Sequence, residues 1–347
     1  MMPEQRRTQA VSELPALYCP FPSFVHPQAD RIDKKASEWM SSCPIPQDPD
    51  DRRLLLRSGL SRLLSNSCAR GNADRLEVGS KWIYLGFSYD DWFESHTSLD
   101  GIVNAVCAMQ RAQEAPGSVL SDVPFLPAFA EIMGDLRGIA TPTQYKRFTY
   151  QHLSYLHAIP WEASYRLRRE VPDLNTDVIL RLNAGANLPF LAIMEICNGE
   201  EVPSAEFNHP TCQAAVEVAA LLLSWVNDLC SISKDSRDGG GRGGIVNSLQ
   251  RERRYSLEEA VMETISVWNR SMFLFKKLSV QLATHGSPHL RRFLDDCGAS
   301  IRAIIDVHAE NPRYDSPALS VTADPPADLD PSPLNIPSIS WWWQQLA

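Results

Sequence analysis

The chain has 347 residues, of which 44% are hydrophobic and 22% charged, so it is long enough to bury one large core. Its net charge of −9 argues against a nucleic-acid or anionic-membrane partner, because those partners attract basic surfaces. Its 8 cysteines contain no C-x-x-C pair, which disfavours a zinc or redox motif and fits a reduced cytosol. We find no signal-peptide pattern and no run of eighteen apolar residues, and therefore expect a soluble, cytoplasmic protein without a membrane partner.

The middle of the chain has the spacing of amphipathic helices. Apolar residues recur three and four positions apart, as at Leu60, Leu63 and Leu64, and strand signals are few. We predict one all-α domain of about ten helices over residues 17–315, between an irregular tail (1–16) and a proline-rich tail (316–347). Repeated proline forbids a long helix in the second tail. Its three consecutive tryptophans, 341–343, are expected to dock on the domain, because they would bury a large apolar area.

The first candidate site is an acidic patch formed by Asp90, Asp91 and Glu94. It follows the apolar, aromatic stretch 82–89, which places it at the end of a buried helix. Asp90 and Glu94 are about one helical turn apart, so their carboxylates can share a face. Clustered carboxylates beside a core are unfavourable without cations, so the patch indicates metal binding. On its own, such a patch is more often a solvated helix end.

The second candidate site is a polar stripe formed by Asn227, Ser231 and Asp235, which follows the apolar stretch 216–226. These residues recur every four positions and therefore lie near one helical face. An amide oxygen, a hydroxyl and a carboxylate are suitable ligands for Mg²⁺, and Lys234 adds a charge suited to phosphate. On its own, the stripe could equally be the wet face of a surface helix.

The two patches together resemble the class I terpene synthases of the microbial type, and the resemblance covers nearly all of residues 15–315. The D-D-x-x-D/E motif of that family matches the first patch, and its N-D-x-x-S-x-x-K-E motif matches Asn227, Asp228, Ser231, Lys234 and Asp235. The family's diphosphate-sensing arginine corresponds to Arg181, and its C-terminal Arg-Tyr pair corresponds to Arg313 and Tyr314.

The resemblance implies a helical bundle around a deep central cavity, in which a prenyl diphosphate is ionised and the allylic cation is cyclised. Farnesyl diphosphate is the expected substrate and a sesquiterpene the expected product. The family's diphosphate contacts fall on Arg181, Lys234, Arg313 and Tyr314. Its three Mg²⁺ ions would be held by Asp90, Asp91, Glu94, Asn227, Ser231 and Asp235. Arg181, Gly185 and Phe87 are the expected catalytic residues: Gly185 lies in a helix with its carbonyl toward the substrate, and the ring of Phe87 stabilises the cation.

Three positions depart from the family pattern. Asp235 stands where glutamate is usual, and Ala184 replaces a polar residue three positions after the sensor arginine. An aromatic residue commonly precedes the Arg-Tyr pair, whereas this chain has Val307 and His308 there. We expect that change to reshape the floor of the cavity.

Several alternatives remain open from the sequence. A diterpene synthase acting on geranylgeranyl diphosphate is the nearest rival, because cavity depth cannot be read from a sequence. A non-catalytic isoprenoid-binding module is disfavoured by Arg181 and the Arg-Tyr pair. A chain-elongating prenyltransferase would need a second aspartate-rich motif, and protonation-initiated cyclisation would need D-x-D-D. The product skeleton, its stereochemistry, the entry of water and the choice between monomer and homodimer stay undetermined.

Overall fold

The computed structural model describes residues 15–118, 122–237, 244–310 and 319–347, with the backbone alone at 233–237 and 310. In these residues the chain forms fourteen α-helices, two short strands and a 3₁₀ helix at Ser340–Gln345. The helices are α1 (Ala29–Ser41), α2 (Pro49–Leu56), α3 (Ser61–Ser67), α4 (Ala73–Ser95), α5 (Leu99–Glu114), α6 (Leu126–Ile139), α7 (Pro142–Arg168), α8 (Leu174–Ala184), α9 (Asn187–Asn198), α10 (Ser204–Phe207), α11 (Pro210–Arg237), α12 (Ile245–Arg253), α13 (Leu257–His285) and α14 (Pro288–Glu310). The strands are β1 (Leu17–Tyr18) and β2 (Val321–Thr322).

The all-α prediction is confirmed, but the expected number of about ten helices was too low for the described residues. Helices such as α3 and α10, with 7 and 4 residues, are too short to show an amphipathic repeat.

Polar side chains fix where the long helices begin. The side chain of Asn72 accepts hydrogen bonds from two backbone N–H groups at the start of α4, and Asp173 does the same for one N–H at the start of α8. Thr141 and Ser256 form capping boxes at the starts of α7 and α13. Such caps satisfy backbone donors that a helix leaves unpaired. They therefore set the register in which each helix presents its polar residues.

Helix α11 is the centre of the bundle. Its residues Val218, Leu222 and Trp225 are fully buried, and it packs against α8, α9, α13 and α14. Two stretches, Leu174–Asn198 and Pro210–Ile232, are long and apolar enough to cross a membrane by composition alone. Most of each stretch is buried inside the bundle, as expected for core helices of a folded domain.

The carboxyl-terminal tail packs on the domain. Strand β2 pairs in parallel with β1, so the two ends of the described chain are joined. Trp342 is fully buried, and its Nε1 donates a hydrogen bond to Glu217 Oε2 on α11 at 2.7 Å. Trp343 is also buried, and its Nε1 donates to the carbonyl of Pro331. The predicted docking of the tryptophans is confirmed at these two positions.

We predict that Trp342→Ala destabilises the protein by about 3–5 kcal/mol, because it leaves a large cavity and removes the hydrogen-bond partner of the partly buried Glu217 carboxylate. Chemical unfolding followed by circular dichroism measures the change. Trp341→Ala is the matched control, since Trp341 is only partly buried, and a smaller loss is expected. Equal losses for the two variants would contradict specific docking through Trp342.

Candidate active site

A cavity with an empty volume of about 750 Å³ opens between helices α3, α4, α7, α8, α9, α11 and α14. Asp90 of α4, Arg181 of α8 and Asn227 of α11 all line it. Thus residues from both sequence patches, far apart in the chain, face one hollow. Most of the remaining wall is apolar or aromatic and includes Leu63, Trp82, Ile83, Phe87, Tyr89, Tyr155, Phe190, Leu223 and Ile304.

Negative charge is concentrated around Asp90. Burial raises the pKa of its carboxyl group well above the ordinary value, and the neighbouring Glu94, Glu162 and Asp91 raise it further. The hydroxyl of Tyr155 donates a hydrogen bond to Asp90 Oδ1 at 3.2 Å. The acidic residues also lie in the last turns of α4, where the helix dipole is negative. A cation at this position would therefore relieve strong repulsion.

A second hollow, of about 560 Å³, lies on the other side of Asp90, between α4 and α7. Glu94 and Glu162 line it together with Arg166. Arg166 donates hydrogen bonds to the backbone carbonyls of Phe93 and His96, which are the last acceptors of α4. This contact holds the acidic end of α4 against α7. Glu162 was missed by the sequence analysis, because a single glutamate in a long helix carries no spacing signal.

Arg181 is anchored on α11. Its Nη2 lies 2.7 Å from Asp228 Oδ1 and also donates to Asn227 Oδ1 at 3.4 Å. Burial works against the positive charge, but nearby carboxylates, Asp228 foremost, outweigh it and raise the pKa of the guanidinium. Asp228 Oδ2 in turn accepts from the N–H of Ile245, the first residue of α12. Asp228 therefore links the arginine to the start of α12.

Asp177, one turn before Arg181 on α8, is a buried acid that the sequence analysis did not identify. Its Oδ1 accepts a hydrogen bond from the N–H of Gly244 at 2.7 Å, and its Oδ2 has no hydrogen-bond partner among the described residues. Burial, followed by the charge of Asp228, raises the pKa of Asp177 to about 7. Two neighbouring acids thus hold the residues that begin α12.

The prediction that Gly185 lies within a helix was wrong. Helix α8 ends at Ala184, and α9 begins at Asn187 after Ala186, which adopts a left-handed conformation with φ of 54°. Ala184, Gly185 and Ala186 line the cavity, so the carboxyl end of α8, which is the negative end of its dipole, lies at the cavity wall. A Cβ at Gly185 would lie 2.5 Å from Ser224 Oγ and 2.9 Å from the carbonyl of Arg181. Glycine is therefore required by close packing.

Aromatic rings form the wall beside the acidic rim. Phe87, Trp82 and Phe190, the three candidates from the sequence, line the cavity, as do Tyr89 and Tyr155, which the sequence analysis did not single out.

Behind this wall lies His152, which is fully buried. Burial lowers its pKa to about 3, so the ring is neutral near pH 7. Its Nδ1 lies 2.8 Å from Gln113 Oε1, and its Nε2 lies 3.4 Å from the hydroxyl of Tyr89. Because an amide oxygen can only accept, Nδ1 carries the proton and Nε2 accepts from Tyr89.

The other predicted site residues were not found among the residues that line the cavity. Asp91 is partly exposed and lines neither hollow, and Ser231 is buried with its Oγ 3.4 Å from the carbonyl of Asp228. The side chains of Lys234 and Asp235, and the whole of Arg313 and Tyr314, lie outside the described residues.

The oxygen donors at the rim, by which we mean Asp90, Glu94 and Asn227, fit a hard divalent cation. Asp90, Glu94 and Asn227 supply oxygen atoms, which Mg²⁺ prefers, and the raised pKa of Asp90 reflects negative charge that a cation would offset. In the described part of the chain, no three His, Cys, Asp or Glu side chains converge to hold a metal by themselves. An ion at this rim would therefore take further ligands from amide, hydroxyl, water or substrate oxygens.

We predict that Gly185→Ala destabilises the protein by about 1–3 kcal/mol, because the new methyl group must displace Ser224. Chemical denaturation measures the loss. Gly134→Ala is the control: Gly134 lies inside α6 with no atom within 4 Å of the added Cβ, so alanine should stabilise by about 0.5–1 kcal/mol. Similar effects at both positions would argue against close packing at the helix break.

We predict that Asp177 makes the unfolding free energy pH-dependent. Its folded pKa of about 7 lies above the unfolded value of 3.8, so its contribution to stability is complete below about pH 4 and is lost as the pH rises through 7. Asp177→Asn removes this titration. We would measure the free energy of unfolding between pH 4 and pH 8 without divalent ions. As the pH rises, the variant should become more stable relative to wild type, by at most about 1.4 kcal/mol per pH unit. A constant difference would contradict the raised pKa.

Comparison with known proteins assigns the family. The model of the family described as "Terpene synthase family 2, C-terminal metal binding" matches residues 81–272. A germacradien-6-ol synthase of Streptomyces pratensis is 28% identical over 96% of this chain and 97% of its own length. A farnesyl diphosphate-cyclizing 4-epi-cubebol synthase of Streptosporangium roseum is also 28% identical, over 87% and 92%. The crystal structure of a protein from ancestral sequence reconstruction superposes with a TM-score of 0.86 at 28% identity, covering 96% of this chain and 99% of that one. The chain therefore belongs to the metal-binding terpene synthase family and is a class I terpene cyclase.

Proposed function

We propose that this protein ionises farnesyl diphosphate with the help of Mg²⁺, cyclises the resulting allylic cation to a sesquiterpene and releases pyrophosphate. The observation that carries the proposal is the shared cavity of Asp90, Arg181 and Asn227. Oxygen ligands and a guanidinium meet at its rim, and apolar side chains form its wall. This combination suits a molecule with an anionic head and a hydrocarbon tail.

The fifteen-carbon substrate is supported by the relatives. The 4-epi-cubebol synthase carries farnesyl diphosphate in its name. Geranylgeranyl diphosphate, with five more carbons, is the rival that an assay with both substrates separates.

At the rim, the chain binds and orients the diphosphate. Arg181 presents a planar guanidinium suited to bidentate contact with phosphate oxygens, and its pairing with Asp228 fixes its direction. We assign further diphosphate contacts to Lys234, Arg313 and Tyr314 from the family motif. Three Mg²⁺ ions, held by Asp90, Asp91, Glu94, Asn227, Ser231 and Asp235, would supply positive charge that stabilises the departing pyrophosphate. The carbon–oxygen bond then breaks with its electron pair on the pyrophosphate.

Deeper in the cavity, the wall protects the carbocation. Phe87 and Trp82 line it, and an aromatic face is worth up to about 2 kcal/mol to a desolvated cation. The carbonyl end of α8 at Gly185 adds a partial negative charge without a nucleophilic side chain. Exclusion of water by the apolar side chains prevents premature capture of the cation.

A cytoplasmic location, as monomer or homodimer, completes the proposal. All 8 cysteines are free thiols, and 7 of them are buried. Such a set is compatible with a reducing compartment, where disulfides are rare.

The test is incubation of the purified protein with ten-, fifteen- and twenty-carbon prenyl diphosphates in the presence and absence of Mg²⁺. We expect Mg²⁺-dependent pyrophosphate release with farnesyl diphosphate, and a cyclic fifteen-carbon product by mass spectrometry. Preferred turnover of the twenty-carbon substrate would identify a diterpene synthase instead. No pyrophosphate from any of them would support a non-catalytic module.

We predict that Asp90→Ala and Asn227→Ala each abolish turnover while the helical circular dichroism is retained, because each removes an oxygen ligand at the rim. Asp51→Ala is the matched control: it also belongs to an Asp-Asp pair near a helix end, but it is exposed on α2 and lines neither hollow. It should keep wild-type turnover. A folded Asp90→Ala variant with full activity would refute the metal assignment.

A further inference from the structure

The amide of Asn227 has two chemically different ends, and only one can bind a cation. The oxygen carries lone pairs, whereas the NH₂ group offers only donors. The proposed role of Asn227 therefore requires that the oxygen, and not the nitrogen, face the metal site. Rotation of the side-chain amide by half a turn would exchange the two and put a donor where a ligand is needed.

His308 of α14 contacts the nitrogen end of this amide. It is buried, lines the same cavity, and its Nδ1 lies 3.0 Å from the carbonyl oxygen of Ile304 in the preceding turn. Because a carbonyl can only accept, Nδ1 must carry a proton. In the neutral ring Nε2 then has a lone pair, and it lies 3.2 Å from Asn227 Nδ2, which donates to it.

The oxygen end of the amide has a hydrogen-bond donor of its own. Arg181 Nη2 donates to Asn227 Oδ1 at 3.4 Å. In the flipped orientation, the NH₂ group would face the guanidinium, and the oxygen would face the lone pair of His308. Two hydrogen bonds would become two repulsive contacts, so the observed orientation is strongly preferred.

We propose that His308 is a positioning residue that fixes the Asn227 amide with its oxygen toward the divalent-cation site. The inference rests on the proposed function in taking Asn227 as a ligand. It gives a role to a position where the sequence departs from its family, since an aromatic residue near this point is replaced by the pair Val307 and His308. Removal of a residue that orients a metal ligand typically weakens metal affinity about 10- to 100-fold.

The test measures cation binding directly. Mn²⁺ affinity in the presence of inorganic pyrophosphate is determined from the electron paramagnetic resonance signal of free Mn²⁺. We expect His308→Phe, which keeps a ring but has no acceptor, to weaken the binding of at least one ion about 10- to 100-fold. His308→Gln should recover much of the loss, because its side-chain oxygen can accept from Asn227 Nδ2. If His308→Phe does not fold, His308→Leu has the same expected effect without a larger ring.

A double-mutant comparison separates orientation from a general structural effect. In the Asn227→Ala background, His308→Phe should cause no further loss of Mn²⁺ affinity, since there is no amide to orient. Wild-type affinity in His308→Phe, or an equal loss in both backgrounds, would overturn the inference. If the wild-type protein binds Mn²⁺ with pyrophosphate but turns over no prenyl diphosphate, the proposed function alone is refuted. The His308 variants then still test whether His308 orients the Asn227 amide. A wild-type protein that binds no Mn²⁺ would overturn both.

Discussion

The crowding of carboxylates at the end of α4 is the constraint on which the site depends. Asp90 lies beside Glu94, Glu162 and Asp91, at the negative end of a helix dipole and next to an aromatic core. Isolated carboxylates in such a place would protonate, because burial and like charges both disfavour the anion. Divalent cations offset this repulsion, and a diphosphate in turn needs such cations beside acidic residues. In the proposed reaction, the feature that is unfavourable in the free protein would therefore favour the binding of a metal-complexed diphosphate.

Two neighbouring residues of α11, Asn227 and Asp228, have different contacts. Asn227 and Asp228 are about a hundred degrees apart on the helix, so they face different partners. Asn227 lines the cavity, whereas Asp228 binds Arg181 and the first N–H group of α12. A change in the position of Arg181 would thus be felt at the start of α12 through one carboxylate. These contacts explain why the motif contains Asp228, although Asp228 does not line the cavity.

Spacing along the helices predicted the helical class and singled out Asp90 and Asn227, because it reports which residues share a face, whereas Arg181 was found only through the family resemblance; all three line the cavity. The sequence did not predict the helix break at Gly185, because a glycine between two helical stretches can be either a helix end or a close-packed position inside a helix, and the close approach of Ser224 comes from a different helix. Glu162, Asp177 and Tyr155 were missed for the same reason. Each is a single polar residue whose meaning comes from a neighbour far away in the chain.

The tyrosines of the wall need an explanation, because a phenol oxygen near a carbocation can capture it. Burial raises the pKa of both Tyr89 and Tyr155, so neither forms the more nucleophilic phenolate. Their hydroxyl groups are also engaged: that of Tyr155 donates to Asp90, and that of Tyr89 to the neutral ring of His152. Both side chains line the cavity, while their oxygens are held by Asp90 and by His152 behind the wall. Burial lowers the pKa of His152 to about 3, so its ring is neutral near pH 7 and can accept the hydrogen bond of the Tyr89 hydroxyl.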